Sequence, residues 1–171
     1  ESISTFVVLN TVDDNGYLFM STKMGMINKI PVALFKKIRS TGLKAIVLKP
    51  GDELLGAHYT SPNQQLMLVA DNGKAIRFLE QDVRERFRGT LGVKGMQLTS
   101  NSLLVSILKP SVGEIITVTE NGYGNRVSID NYNVQKRGGV GVISIKTTKR
   151  NGKVVGAVNV SADDKQLNVD D

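Results

Sequence analysis

The 171-residue sequence predicts an all-β fold, a repeat β-propeller or pinwheel of four-stranded blades, left open at three blades with partial strands at both ends. Three observations carry this. A glycine turn recurs at near-constant spacing, each turn follows a short apolar run and precedes one basic residue, and a second apolar pair returns later in every period. The turns are Lys23-Met24-Gly25, Asp71-Asn72-Gly73 and Glu120-Asn121-Gly122, with glycines 48 and 49 residues apart. Self-similarity at a fixed period marks an array of units that bury their faces against one another.

The first strand of each unit is the run before the turn: Leu18-Phe19-Met20, Leu66-Met67-Leu68-Val69 and Ile115-Ile116-Thr117-Val118. The second strand follows the glycine and carries Lys29, Arg77 or Arg126. Asn-Gly in the second and third units fits a type I′ hairpin, whose central residues take positive φ and whose twist matches the flanking strands; Met24-Gly25 fits it less well. A third apolar stretch opens at Gly42-Leu43-Lys44-Ala45-Ile46, Gly92-Val93-Lys94-Gly95-Met96 and Gly139-Val140-Gly141-Val142-Ile143. The fourth contains Glu53-Leu54-Leu55-Gly56, Ser102-Leu103-Leu104-Val105 and Lys153-Val154-Val155-Gly156. Aliphatic and β-branched residues separated by turn formers read as short strands.

The blades are therefore expected at 17–64, 65–113 and 114–162. Residues 1–16 read as the end of a preceding blade, and 163–171, with Lys165-Gln166-Leu167-Asn168-Val169, as the start of the next. Propellers close with about four to eight blades, so three imply a piece of a longer array; the first residue, Glu rather than Met, fits that expectation.

Composition narrows the function. With 40% hydrophobic residues there is material for a packed core, and there is no cysteine for disulfides or thiolate metal sites. No run of eighteen apolar residues and no signal-peptide pattern is present, so a cytoplasmic protein with no membrane partner is expected. The net charge of +6 conceals a basic body. Residues 17–60 carry seven Lys/Arg against two acids, 65–109 seven against four, and 114–160 seven against three, while the two ends are acidic. Such a body fits either a polyanion-binding surface or an ordinary solvated one.

The positions of the charges favour the polyanion. The longest connection of each unit, between second and third strands, holds Lys36, Lys37 and Arg39, then Arg84, Arg86 and Arg88, then Lys136 and Arg137. Equivalent connections lie on one side of a propeller, so these charges would form one stripe able to follow phosphates without reading bases. Arg84, Arg86 and Arg88 alternate at period two, so an extended segment would aim all three one way.

The third connection reads Gln135-Lys136-Arg137-Gly138-Gly139-Val140-Gly141. It resembles the glutamine-basic-arginine-glycine-glycine-lysine-glycine box of the DNA-wrapping C-terminal propeller of bacterial DNA gyrase A proteins. The strings Thr119-Glu120-Asn121-Gly122-Tyr123-Gly124 and Lys149-Arg150-Asn151-Gly152-Lys153-Val154-Val155-Gly156-Ala157 extend the resemblance, which covers essentially the whole chain. Two departures stand out: Val140 occupies the place of the box's second lysine, and a complete box in that family sits in the first blade. This copy is thus a degenerate internal one, with the principal box expected upstream. From the residues alone, Gly138 and Gly139 have two readings. Their amides and the adjacent Lys136 and Arg137 could cradle phosphate oxygens, or the glycines could form a tight turn entering a strand.

The resemblance implies duplex DNA as the partner, bound without sequence preference and wrapped. It also implies a place in an ATP-hydrolysing type II topoisomerase holoenzyme, with gyrase B and the gyrase A N-terminal region as further partners. ATP and Mg2+ would act through those other parts, leaving no cofactor and no catalytic residue here. The residues agree with that division. His58 is the only histidine, the paired acids Asp13-Asp14, Asp52-Glu53 and Asp163-Asp164 have no histidine cluster beside them, and Gly122-Tyr123-Gly124 lacks nucleotide-loop spacing. Two other functions fit less well: the corresponding C-terminal domain of topoisomerase IV, and a protein-interaction propeller, because what recurs in the loops is lysine and arginine rather than aromatic anchors.

Overall fold

A computed structural model describes residue 7 and residues 15–36 and 41–161. The terminal strands expected within 1–16 and 163–171 lie outside the described residues, apart from residues 7, 15 and 16.

Each unit begins with an antiparallel hairpin: β1 (Tyr17–Thr22) with β2 (Met26–Pro31), β5 (Gln65–Ala70) with β6 (Lys74–Leu79), and β10 (Glu114–Thr119) with β11 (Gly124–Ser128). A long last strand returns along the outer side of the first: β4 (Leu54–Thr60) on β1, β9 (Leu104–Leu108) on β5 and β13 (Val154–Val160) on β10. Equivalent irregularities in register fall at Ser21/Thr22, Val69/Ala70 and Val118/Thr119.

The hairpin turns are equivalent, as the spacing predicts, but they are not type I′. Gly25, Gly73 and Gly122 have φ of +85°, +83° and +80°, whereas the residues before them do not take positive φ. Their N–H groups donate to the carbonyls of Thr22, Ala70 and Thr119, at 3.1, 3.1 and 3.0 Å. This is a three-residue loop, a type I turn closed by a left-handed glycine. Only the glycine position demands the special residue, so Met24 serves as well as Asn72 or Asn121.

The fourth strand of a sheet comes from the following unit. Between β3 (Ile46–Val47) and the last hairpin, the short strands are β7 (Thr90–Leu91), which pairs in parallel with β3, and β8 (Val93–Lys94), which pairs with β2; later in the chain β12 (Val142–Ile143) pairs with β6. The sheets therefore read β4-β1-β2-β8, β9-β5-β6-β12 and β13-β10-β11, two of four strands and one of three. This corrects the alignment of the third unit by two residues. Met96 N–H and Ile145 N–H donate to the Gly25 and Gly73 carbonyls in the same way, so Gly141, not Gly139, matches Gly92. Both glycines lie where the exchanged strand crosses the hairpin. An added Cβ would stand 2.5 Å from the Ile27 carbonyl oxygen at Gly92 and 2.4 Å from that of Ala75 at Gly141.

The core lies between successive sheets. Phe19, Ile27, Leu66, Leu68, Phe78 and Leu104 fill the first interface, and Met67, Val69, Ile115, Tyr132, Ile145 and Val154 the second. Strand side chains alternate between faces, so β5, buried on both, must read as an unbroken apolar run. In β10 only Ile115, Thr117 and Thr119 are buried, and Val118 is exposed.

Candidate nucleic-acid interface

The long connections after the second strands begin with short 3-10 turns, Val32–Phe35, Glu80–Asp82 and Ile129–Asn131. The second and third then cross onto the preceding unit. The second is held by Arg86 N–H to the Lys29 carbonyl (2.8 Å) and Gly89 N–H to that of Ala45 (2.7 Å). The third is held by Gln135 N–H to the Arg77 carbonyl (2.7 Å) and Gly138 N–H to that of Gly95 (2.6 Å). These matched bonds make the two connections equivalent residue by residue: Arg86 to Gln135, Phe87 to Lys136, Arg88 to Arg137 and Gly89 to Gly138.

Of the residues singled out in the sequence, Lys36, Arg84, Arg88 and Lys136 are exposed. Lys37 and Arg39 lie outside the described residues. Arg86 is half-buried, with its Nε shielded and unpartnered, so the three arginines do not all point into solvent. The segment is pinned by backbone bonds and forms no regular strand before Thr90, which removes the period-two alternation. Arg137 is half-buried and donates from Nη1 to the Lys94 carbonyl at 2.9 Å, while Lys136 Nζ sits 3.2 Å from Asp82 Oδ1. That ion pair ties Lys136 of the third unit to an acid only two residues before Arg84 in the second.

Gly138 and Gly139 form the tight turn. Gly138 has φ +85° and donates its N–H to Gly95, and the Gly139 carbonyl accepts from Gln97 N–H at 2.8 Å. The Gly138 amide is thus engaged within the fold, and of the two charged side chains before it Lys136 faces outward.

Two further exposed lysines lie beside these anchoring points. Lys44 and Lys94 are exposed and lie next to the carbonyls of Ala45 and Gly95, which anchor Gly89 and Gly138. The sequence signal for them is the shared Gly-apolar-Lys opening of the third stretch, which sequence reasoning takes only as a strand start. Ile143 takes that place in the third unit, 62% exposed.

The other recurring cations serve the fold. Lys29 is buried, its Nζ 3.0 Å from Glu80 Oε2 and 4.2 Å above the centre of the Tyr17 ring, and Thr60 Oγ1 donates to the other Glu80 oxygen. Arg77 donates from Nη1 to the Ile129 and Tyr132 carbonyls at 2.8 and 2.9 Å. Each clasps the following unit. Arg126 instead pairs with Glu114 of its own hairpin and is half exposed. Burial, and secondarily Lys109, lowers the pKa of His58, which therefore adds no cation at neutral pH. Among the described residues no three His, Cys, Asp or Glu side chains gather in metal-holding geometry, and no helix is long and apolar enough to cross a membrane.

The same three-unit division appears in known proteins. The model of the DNA gyrase C-terminal domain, beta-propeller, matches three segments, 16–61, 64–111 and 113–161. The DNA gyrase A protein of Salmonella typhimurium is 40% identical over 172 residues, covering all of this chain and 20% of the relative. That of Mycolicibacterium smegmatis is 37% identical, covering 98% and 20%. The chain thus spans about a fifth of the length of these relatives. Among solved structures, a DNA gyrase A C-terminal domain superposes with a TM-score of 0.82 at 32% identity, covering 92% of this chain and 53% of that one. The C-terminal domain of a DNA topoisomerase IV gives 0.82 at 28%, covering 90% and 49%.

Proposed function

The chain belongs to the DNA gyrase C-terminal domain family of β-propellers, and from that premise we propose that it binds duplex DNA without sequence preference and wraps it along the face bearing the long connections. The observation that carries this is the matched crossing of the second and third connections. Each is tied to the unit before it and leaves exposed cations at its surface: Arg84 and Arg88, then Lys136, with Lys44 and Lys94 beside the anchoring carbonyls.

The physics favours such an arrangement. Bending a site of 20–30 base pairs costs about 1–6 kcal/mol, so contacts must be spread along the arc rather than gathered at one point. Flexible lysine and arginine heads meet phosphate oxygens wherever the groove falls and carry no base information. Lys36, Lys37, Arg39, Arg86, Gln135, Arg137 and the glycine turn Gly138-Gly139 complete the proposed surface, Arg137 and the turn by positioning the others. In a whole gyrase the wrapped segment would be delivered to a DNA gate in the rest of gyrase A, with ATP used through gyrase B, and the handedness of the wrap would set the sign of supercoiling. The cytoplasm is the compartment that suits this role.

Topoisomerase IV shares the fold equally well, and the 40% identity to a gyrase A protein favours gyrase. Sealing nicked circular DNA with ligase in the presence of the protein tests wrapping. A linking-number distribution displaced in proportion to bound protein is expected; binding that leaves the distribution centred would reduce the function to binding without wrapping.

A further inference from the structure

Phe87 is the most exposed large hydrophobic side chain among the described residues, at 77%. Its place in the fold is specific. Arg86 and Arg88 flank it, and the matched hydrogen bonds put it at the position that Lys136 holds in the next unit. Where the third connection presents a cation 85% exposed, the second presents a bare aromatic ring.

The ring is offered on a fixed support. Arg86 N–H binds the Lys29 carbonyl on one side and Gly89 N–H the Ala45 carbonyl on the other. The Phe87 carbonyl itself accepts from Thr90 Oγ1 at 2.8 Å, and Asn28 Nδ2 approaches that threonine's carbonyl at 3.4 Å. A backbone held this way presents the ring at a fixed place, so contact with a partner has only the side chain to order. Its cationic flanks favour a polyanion over an apolar protein surface.

We propose that Phe87 is an apolar wedge that enters the DNA between base steps where the duplex bends over the second unit. This rests on the DNA-binding reading above. Many minor-groove proteins that bend the duplex insert such side chains between base steps, where partial unstacking opens a kink that lets more of the DNA contact the protein. Arg84 and Arg88, exposed three residues before and one residue after Phe87, would then contact phosphates beside the kink. Phe87 would then concentrate bending that phosphate contacts alone spread evenly, and would favour flexible pyrimidine–purine steps.

The test uses duplexes carrying 2-aminopurine at successive positions, with wild type, Phe87→Ala and Phe87→Lys. Wild type is expected to brighten the probe at one or a few positions, and both variants to lose that signal while melting at the wild-type temperature. Phe87→Ala should weaken binding by at least about fivefold, the lower end for loss of one base–aromatic contact. Phe87→Lys should steepen the log-affinity against log-salt slope by about 0.9, because it adds one phosphate contact. Duplex binding by wild type without any brightening, or equal brightening by Phe87→Ala, overturns the wedge and leaves the DNA-binding reading standing. Failure of wild type to bind any duplex overturns both.

Discussion

Lys29 Nζ and Glu80 Oε2 stand 3.0 Å apart with their side chains 7% and 0% exposed, and they join the first unit to the second. Removing one member of a buried pair strands the other charge in a low-dielectric site. Lys29→Ala is therefore expected to lower stability by about 3–5 kcal/mol, measured by urea unfolding. The double replacement Lys29→Met with Glu80→Leu should cost much less, because no charge is left behind. Equal losses in the two variants would show that the pair holds the units together by more than mutual neutralisation.

The hairpin glycines separate backbone conformation from crowding. Gly73→Ala would place a Cβ 2.0 Å from the Ile145 carbonyl oxygen, whereas at Gly122 nothing lies within 4 Å, and both positions have φ near +80°. Gly122→Ala should cost about 1–2 kcal/mol, the left-handed penalty alone. Gly73→Ala should cost clearly more and loosen the crossing of β12. Thermal melts of the two variants check this, and similar losses would speak against the exchanged strand.

His58 gives stability a pH dependence. Burial lowers its folded pKa from the ordinary value of about 6.5, so as pH falls the unfolded chain binds the proton first. Stability tied to this group is whole above about pH 6.5 and is lost as pH falls from there toward the folded pKa. Melting temperatures between about pH 7 and 5 should drop more for wild type than for His58→Gln. A parallel fall would assign the acid sensitivity elsewhere.

Lys44 and Lys94 are expected to belong to the binding surface. Replacing both with alanine should weaken DNA binding equally on unrelated duplexes and flatten the salt slope by up to about 1.8, with the melting temperature unchanged. Fluorescence anisotropy at several salt concentrations measures both quantities, and a slope equal to that of wild type would remove the two lysines from the surface.

What can be read in the sequence is what is encoded locally. Gly25, Gly73 and Gly122 announce themselves because a left-handed residue closing a hairpin is nearly always glycine, and β5 announces burial on both faces by its unbroken apolar run. The strand exchange is not legible. β8 and β12 are two residues long, and their partners are set by backbone bonds to Gly25 and Gly73, about seventy residues earlier in the chain. The same gap misplaces the third unit by two residues, since Gly139 and Gly141 look alike until one of them meets the Ala75 carbonyl. Lys29 and Arg77 recur as surface cations would; only Glu80 and the Ile129 and Tyr132 carbonyls, each supplied by the following unit, reveal them as clasps. Arg86 groups with its neighbours only while the segment is assumed extended, and the segment, pinned at the Arg86 and Gly89 N–H groups, forms no strand there.

Exposed cations on successive connections are expected to contact phosphates along one path, and the salt dependence of duplex binding by the Arg84→Ala, Arg88→Ala, Lys136→Ala triple variant, on two duplexes of unrelated sequence, measures those contacts. The slope of log affinity against log salt is expected to fall in magnitude by up to about 2.7 on both, somewhat less where Asp82 already engages Lys136. An unchanged slope on both duplexes would contradict the wrapping surface, and a loss confined to one would replace phosphate contact with base readout.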